Sequence, residues 1–390
     1  MIKCQVPNSC LVINPNGSLA PCCQATKPFE DGSRELMLRD YEDIPTFFNG
    51  DFLQSIRQKI STSGKHPQFC NECLAQHASG ERTFMDIIDD TLPDSLNEKY
   101  NIKGNELKYL EITTSNICNQ TCTTCNGWFS SAWNILDRSL KKKYPGIEHE
   151  LSVENVSRHW IINKERLQSS EIDKIKKALP EIHVLCLKGG EPFADKRNIE
   201  ILDHLALVNP ECYVQIITNF TLVDKHIKTL KKIKNLDVDA SVDGIYDQYE
   251  WIRSSKWNKL LEQMDIYTNE LNRQTRVNVT VSLYNYTNLY DIIHYWNNSS
   301  YIKSMSATNI VHHPKISSYK LLKQQYLDFF YDKINMGEGI VISRPSSFTD
   351  IDREYYLNKA LRWITVMDGV RGFKLTSCVP SLNMLDEMVL

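Results

Sequence analysis

From Leu107 onward the hydrophobic pattern switches repeatedly between two periods. Short runs rich in β-branched and aromatic residues fall at Leu107–Ile112, His183–Leu187, Tyr213–Thr218, Val238–Val242, Val277–Leu283 and Thr308–His312. Longer segments with apolar residues at helical spacing follow most of them: Ile172–Leu179, Ile199–Val208, Val223–Ile233, Lys256–Leu271, Leu289–Trp296 and Tyr319–Ile334. Strands alternating with helices predict βαβ units and a parallel sheet. The fold class expected is α/β, a partial (β/α)6 relative of the eightfold βα barrel, with chemistry at the C-terminal strand ends. The first connection, Thr113 to Pro180, is long, and long connections are often functional.

The chain before this pattern is different. Residues 1–90 hold two cysteine-bearing loops separated by a helical stretch, Tyr41–Ile60, whose apolar face is Phe47, Phe48, Phe52, Ile56 and Ile60. A module so small and poor in periodic apolar sequence usually needs a staple such as a metal. The polar stretch from Thr91 to Asn105, with Pro93 and Gly104 near its ends, reads as a linker. The domain organisation expected is therefore 1–90, then a barrel over 105–318, then a helical C-terminal extension over 319–390.

Composition narrows the function classes. With 42% hydrophobic and 24% charged residues the 390-residue chain is globular. No apolar stretch reaches the roughly 18 residues that cross a bilayer, and the N-terminus lacks a signal peptide's apolar stretch, so a cytoplasmic location without membrane contact is expected. A net charge of -3 does not indicate a general nucleic-acid surface. The 12 cysteines change the picture most, because spaced cysteines in a reducing compartment read as metal or catalytic sites. Cys4, Cys186, Cys212 and Cys378 are scattered and read as buried small apolar residues.

The sharpest pattern is Cys118, Cys122 and Cys125, spaced C-x3-C-x2-C directly after the first β-rich run. At this cysteine frequency the spacing arises by chance in about one chain in a hundred. Three thiolates can hold three irons of a cubane and leave the fourth open to another ligand, unlike the four-cysteine ligation of electron-transfer clusters. A closed zinc site would seek a fourth ligand, and His149 and His159 are distant in sequence. Lys188-Gly189-Gly190-Glu191-Pro192 ends the second run. Two glycines permit close backbone approach by a ligand, and a carboxylate there can accept bonds from an ammonium group.

Together the triplet and the Gly-Gly-Glu motif resemble those of radical S-adenosylmethionine (SAM) enzymes. The resemblance implies a [4Fe-4S] cluster on Cys118, Cys122 and Cys125, with Gly189, Gly190 and Glu191 binding the methionyl amino group of SAM. It also implies that Thr218 and Asn219 at the third strand end, Ser241 and Asp243 at the fourth, and Arg253 contact ribose hydroxyls or the SAM carboxylate. Thr124 departs from the family, many members of which carry an aromatic residue before the third cysteine. Among Asn278, Thr280, Ser282 and Asn285, at the fifth run, the sequence does not single out an adenine contact. The implied activity is reductive cleavage of SAM to a 5′-deoxyadenosyl radical that abstracts hydrogen from a substrate. A flavodoxin or ferredoxin is the implied electron donor; no catalytic residue on the substrate side is identified.

The N-terminal cysteines form a second constellation. Cys10 to Cys23 reads as a hairpin with an Asn16-Gly17 turn, and Cys70-Asn71-Glu72-Cys73 is a C-x2-C knuckle. These resemble the twitch module, a shortened SPASM domain, which implies an auxiliary [4Fe-4S] cluster on Cys10, Cys22, Cys70 and Cys73. Cys22 is preferred to Cys23 for its spacing from Gly17. Structural zinc on the same thiolates is the alternative. The module departs from better-known members in preceding the barrel, and it points to a peptide or protein substrate. Alternatives are a non-catalytic metal-stabilised binding protein, or a radical SAM enzyme acting on nucleic acid or a small molecule.

Overall fold

The computed structural model describes residues 4–78, 80, 83–86, 106–146, 166–311, 314–335, 345–349 and 351–390. The expected linker from Thr91 to Asn105, His149, His159 and the His312-His313 pair lie outside the described residues. The chain divides into two compact units.

The first unit comprises 1–117, 156–217 and 226–237. Its strands Tyr109–Ile112, Val184–Leu187 and Tyr213–Thr218 pair in parallel, in register from Tyr109↔Val184 and Val184↔Tyr213. Every residue of Val184–Leu187 is buried, as expected of a parallel strand covered on both faces. The helices Ser169–Ala178 and Lys196–Val208 follow the helical spacing read from the sequence. The first buries Ile172, Ile175 and Ala178, the second Ile201, Leu202 and Leu205. Asp195 caps the second helix through the Arg197 N–H at 3.1 Å.

Cys10–Ile13 lies parallel to Tyr109–Ile112, with Cys10 opposite Tyr109, and pairs on its other side antiparallel with Leu19–Ala20. The cysteine hairpin is thus an extension of the parallel strands, turned by Gly17 at φ +86°. The N-terminal residues also have a core that periodicity does not reveal. Phe29 meets Phe47, Phe52 and Phe69 at ring-centroid distances of 5.7, 5.7 and 5.6 Å. Such aromatic contacts each add about 0.5–1.5 kcal/mol beyond the buried area.

The second unit comprises 118–155, 218–225 and 238–390. The strand Asn235–Ser241, which enters this unit at Val238, pairs in parallel with Thr275–Val281 at Asp239↔Arg276. Thr275–Val281 pairs in parallel with Ile302–Ile310. The last strand begins earlier than the sequence predicts. Its solvent-facing residues break the apolar run, and its register shifts twice, so only its last residues carry a strand signature. Helices Tyr246–Arg253, Trp257–Leu271, Leu289–Asn297 and Gln324–Asn335 follow these strands. The C-terminal residues form the helix Arg353–Arg371 and short helical turns after it. Among the described residues, no helix is long and apolar enough to cross a membrane.

Candidate radical SAM site

The cysteine loop belongs to the second unit and is held by its main chain. The Cys118 N–H donates to Ser131 Oγ at 3.1 Å, and Ser130 Oγ donates to the Gln120 carbonyl at 2.6 Å. Trp133 Nε1 donates to the Cys122 carbonyl at 3.0 Å. The Thr123 N–H donates to the Ile252 carbonyl at 2.7 Å, and the Thr121 N–H to Ser254 Oγ at 2.8 Å. The Ser130–Ser131 segment that opens the Ser131–Lys143 helix therefore fixes the loop from one side, and the end of the Tyr246–Arg253 helix from the other. The Cys122 thiol donates to the Arg253 carbonyl at 3.8 Å and the Cys125 thiol to the Asn126 carbonyl at 3.7 Å. Burial pushes the Cys122 thiol up to about 11, with Arg253 pulling it down and Cys118 adding to the rise. Cys125 is raised further by burial and then by Cys122 and Cys118. Neutral thiols release their protons when a metal takes them.

Two unpartnered groups face this neighbourhood. Arg253 donates through Nη1 to Asp243 at 3.0 Å, but its Nε is buried without a partner. Gln120 presents its Oε1 to the Cys122 thiol at 3.5 Å, while its Nε2 is buried and unpartnered. Orphaned buried donors cost about 1–3 kcal/mol each, and a negatively charged occupant would satisfy them. These donors suit an anionic occupant and the carboxylate of its ligand, while the side chains of Cys118, Cys122 and Cys125 are not gathered into a metal-holding group. Burial works against the Arg253 charge, yet Cys122 and Asp243 outweigh it and hold the guanidinium protonated.

The other strand-end residues are more engaged than the sequence suggests. Thr218 Oγ1 accepts the Phe220 N–H at 3.0 Å. Asn219 donates to Asn119 Oδ1 at 2.7 Å and accepts from Thr221, and Asn119 in turn donates to Thr221 at 2.9 Å. This ties the third strand end to the cysteine loop. Asp243 accepts from Arg253 and from the Thr280 N–H at 2.8 Å. Asn285 donates to the carbonyls of Asp243 and Thr280, both at 2.9 Å. Ser241 ends its strand, partly exposed.

The Gly-Gly-Glu segment lies in the first unit. The Glu191 N–H donates to the Ile117 carbonyl at 2.7 Å. The buried carboxylate accepts the Phe193 N–H at 3.0 Å. The glycines are required by the chain itself. A Cβ on Gly189, at φ +127°, would sit 2.4 Å from Thr113 Cγ2. One on Gly190 would sit 2.3 Å from the Ile117 carbonyl oxygen and 2.7 Å from the Asn116 carbonyl carbon. Close backbone approach is real here, and what approaches is the segment leading to the cysteines. Gly190→Ala is expected to cost about 1–3 kcal/mol and to lower the thermal midpoint; an unchanged midpoint would show that the 116–117 segment yields freely. Asp195, which sequence reasoning missed, accepts from Thr114 Oγ1 at 2.7 Å and Ser115 Oγ at 2.6 Å. It anchors the same segment, and an Asp shortly after Glu191-Pro192 was the signal available.

The N-terminal thiols converge in the first unit on a small cavity of about 20 Å³, whose lining includes Cys4, Cys22, Cys70, Cys73, His66 and Phe84. Of the expected set Cys10, Cys22, Cys70 and Cys73, the last three line it. Cys10 does not line the cavity; it opens its strand and packs in a hydrophobic cluster with Val6, Phe84, Tyr109 and Cys186. Cys4, expected to be a core residue, takes the place at the cavity. The preferred Cys22 lines it, whereas burial raises Cys23 to about 11 while Lys188 beside it opposes the rise. Lys188 is in turn paired with Glu111 at 2.6 Å. Burial raises Cys4 to about 11 and Cys70 to about 12, and each feels Cys73. Among the described residues, no group of three or more His, Cys, Asp or Glu is set to hold a metal ion.

Residues 112–290 match the family model of the radical SAM superfamily. Among solved structures, native anSMEcpe with bound AdoMet is 17% identical with a TM-score of 0.40, covering 60% of this chain and 63% of that one. SuiB of Streptococcus suis is 14% identical with a TM-score of 0.41, covering 75% of this chain and 61% of that one. The chain thus spans less than two thirds of the length of either. No curated protein matches the chain. The matched segment starts at the end of the first barrel strand and contains the cysteine triplet, Gly-Gly-Glu and Arg253. Its architecture is α/β, with parallel strands followed by helices. Residues 112–290 of this chain are thus similar to the radical SAM superfamily.

Proposed function

We propose that Cys118, Cys122 and Cys125 hold a [4Fe-4S] cluster and that the protein cleaves SAM to act on a peptide or protein. The observation that carries the reading is the C-x3-C-x2-C triplet, on a loop fastened by its main chain, inside the segment that matches the radical SAM family model. Bound there, the cluster and SAM supply one-electron cleavage to methionine and a 5′-deoxyadenosyl radical. The chain's own part is to bind and orient. Arg253 Nε offers a donor to a carboxylate, Glu191 an acceptor to an ammonium, and the Asn119–Asn219–Thr221 bonds hold the loop still. The test is anaerobic reconstitution with iron and sulfide, reduction, and chromatography for 5′-deoxyadenosine; intact SAM beside a loaded cluster would refute the reading.

The Cys4, Cys22, Cys70 and Cys73 cavity is proposed as an auxiliary cluster site. The resemblance of this region to twitch and SPASM modules is what supports a peptide substrate. A flavodoxin or ferredoxin as electron donor and a cytoplasmic location belong to the same proposal. Nucleic acid is disfavoured, because the basic stretch near Lys232 is partly neutralised: Lys232 pairs with Asp203 and Lys234 with Glu211.

Glu191→Gln is expected to weaken SAM binding roughly ten- to a hundredfold, from the loss of a charge-assisted bond of about 1.5–3 kcal/mol. Gln keeps an oxygen for the Phe193 N–H, so the turn survives and iron content stays constant. Calorimetric titration of the reconstituted protein measures it, and unchanged affinity would leave Glu191 as a turn residue alone.

A further inference from the structure

The C-terminal helix Arg353–Arg371 lies in the same unit as the cysteine loop and meets it through its last turn. Arg371 spends all three kinds of guanidinium nitrogen there. Nη2 donates to the Thr121 carbonyl at 2.5 Å and Nη1 to Thr121 Oγ1 at 3.3 Å. Nε donates to the Trp251 carbonyl at 2.8 Å, which also accepts Thr123 Oγ1 at 3.1 Å. One arginine therefore joins the residues flanking Cys122 to the helix behind them. Two more contacts brace the junction. Asp368 accepts from Trp251 Nε1 at 2.7 Å and from the Leu375 N–H at 2.9 Å. Trp363 stacks on Trp133 at 6.0 Å, and Trp133 bonds the Cys122 carbonyl.

The charge of Arg371 has a further consequence. Among the described residues its hydrogen-bond partners are two carbonyls and a hydroxyl, with no carboxylate among them. Arg253, the other cation near Cys122, is paired with Asp243. Arg371 is partly buried, which lowers its pKa to about 10, and Cys122 is the group that acts against that fall. An unpaired cation in a low-dielectric setting acts over several ångströms, and charge close to a cluster is one of the factors that set its potential.

We propose that Arg371 is a positioning residue for the cluster on Cys118, Cys122 and Cys125, holding the loop at Thr121 and favouring the reduced state through its uncompensated positive charge. This rests on the cluster reading of the triplet. A planar fork that bonds two carbonyls is something Lys cannot reproduce, while Lys does keep the charge. The two contributions are thus separable in the full-length reconstituted protein. Arg371→Lys should keep the midpoint potential of the wild type but lose iron to a chelator several-fold faster. Arg371→Gln should lose iron faster and also shift the potential to more negative values. The potential is followed through the electron paramagnetic resonance signal that changes when SAM is added, so an auxiliary cluster does not confuse the reading. If the wild type shows no SAM-responsive signal, the cluster reading itself fails. If that signal is present and the Gln variant has the wild-type potential, the charge role is overturned. Should the Gln variant fail to load iron, Arg371→Lys decides: iron loss at the wild-type rate would overturn the positioning role.

Discussion

Replacing Cys118, Cys122 and Cys125 together by Ala should abolish SAM cleavage and remove about four irons per chain. The fold should survive. The loop is fastened mainly by the main-chain groups of Cys118, Gln120, Cys122 and Thr123, the thiols adding only long contacts such as Cys122 Sγ to the Arg253 carbonyl at 3.8 Å, and a Cys→Ala change leaves the main-chain bonds in place. Circular dichroism and the thermal midpoint of the metal-free mutant should therefore match those of the metal-free wild type. This separates loss of chemistry from loss of structure. If the triple mutant retains its full iron, the triplet is not the cluster site. If it unfolds, the thiols support the loop more than its hydrogen bonds indicate.

What the sequence reveals of this site follows from how local each signal is. The triplet and Gly189-Gly190-Glu191 are short motifs on one strand end each, so their spacing alone carries them. The parallel strands are legible because Val184–Leu187 and Tyr213–Thr218 are buried runs of the kind a covered sheet demands. Three things resist such reading. Arg371 reaches Thr121 from far along the chain, and nothing near either residue announces the contact. Cys4 and Cys10 are both N-terminal thiols, and only strand pairing shows that Cys10 is committed to a hydrophobic cluster. The glycines permit close approach, but composition cannot say whether a ligand or the chain's own backbone takes the space. In each case the missing information is a contact between residues distant in sequence.

The N-terminal cavity yields the last expected result. Cys70→Ala with Cys73→Ala should lower iron by about half and spare the triplet's cluster, so that SAM still binds and is slowly cleaved without substrate. Substrate turnover should fail. The region should also become protease-sensitive, because metal binding in a small module contributes folding energy. Single replacements of Cys4 and Cys10 then distinguish the ligand sets. Cys4→Ala should release iron as the pair does, since Cys4 borders the cavity. Cys10→Ala should keep the iron and cost about 1 kcal/mol of stability, as trimming a buried side chain in a packed cluster does. The reverse outcome would return the fourth ligand to Cys10 and would require the Cys10–Ile13 strand to turn its first side chain. Zinc near one per chain, with iron near about four, would replace the auxiliary cluster by a structural ion. Parallel metal analysis of the wild type and the variants reads all of these outcomes. The similarity of residues 112–290 to the radical SAM superfamily stands under each of them, because none of the four thiols lies in that segment.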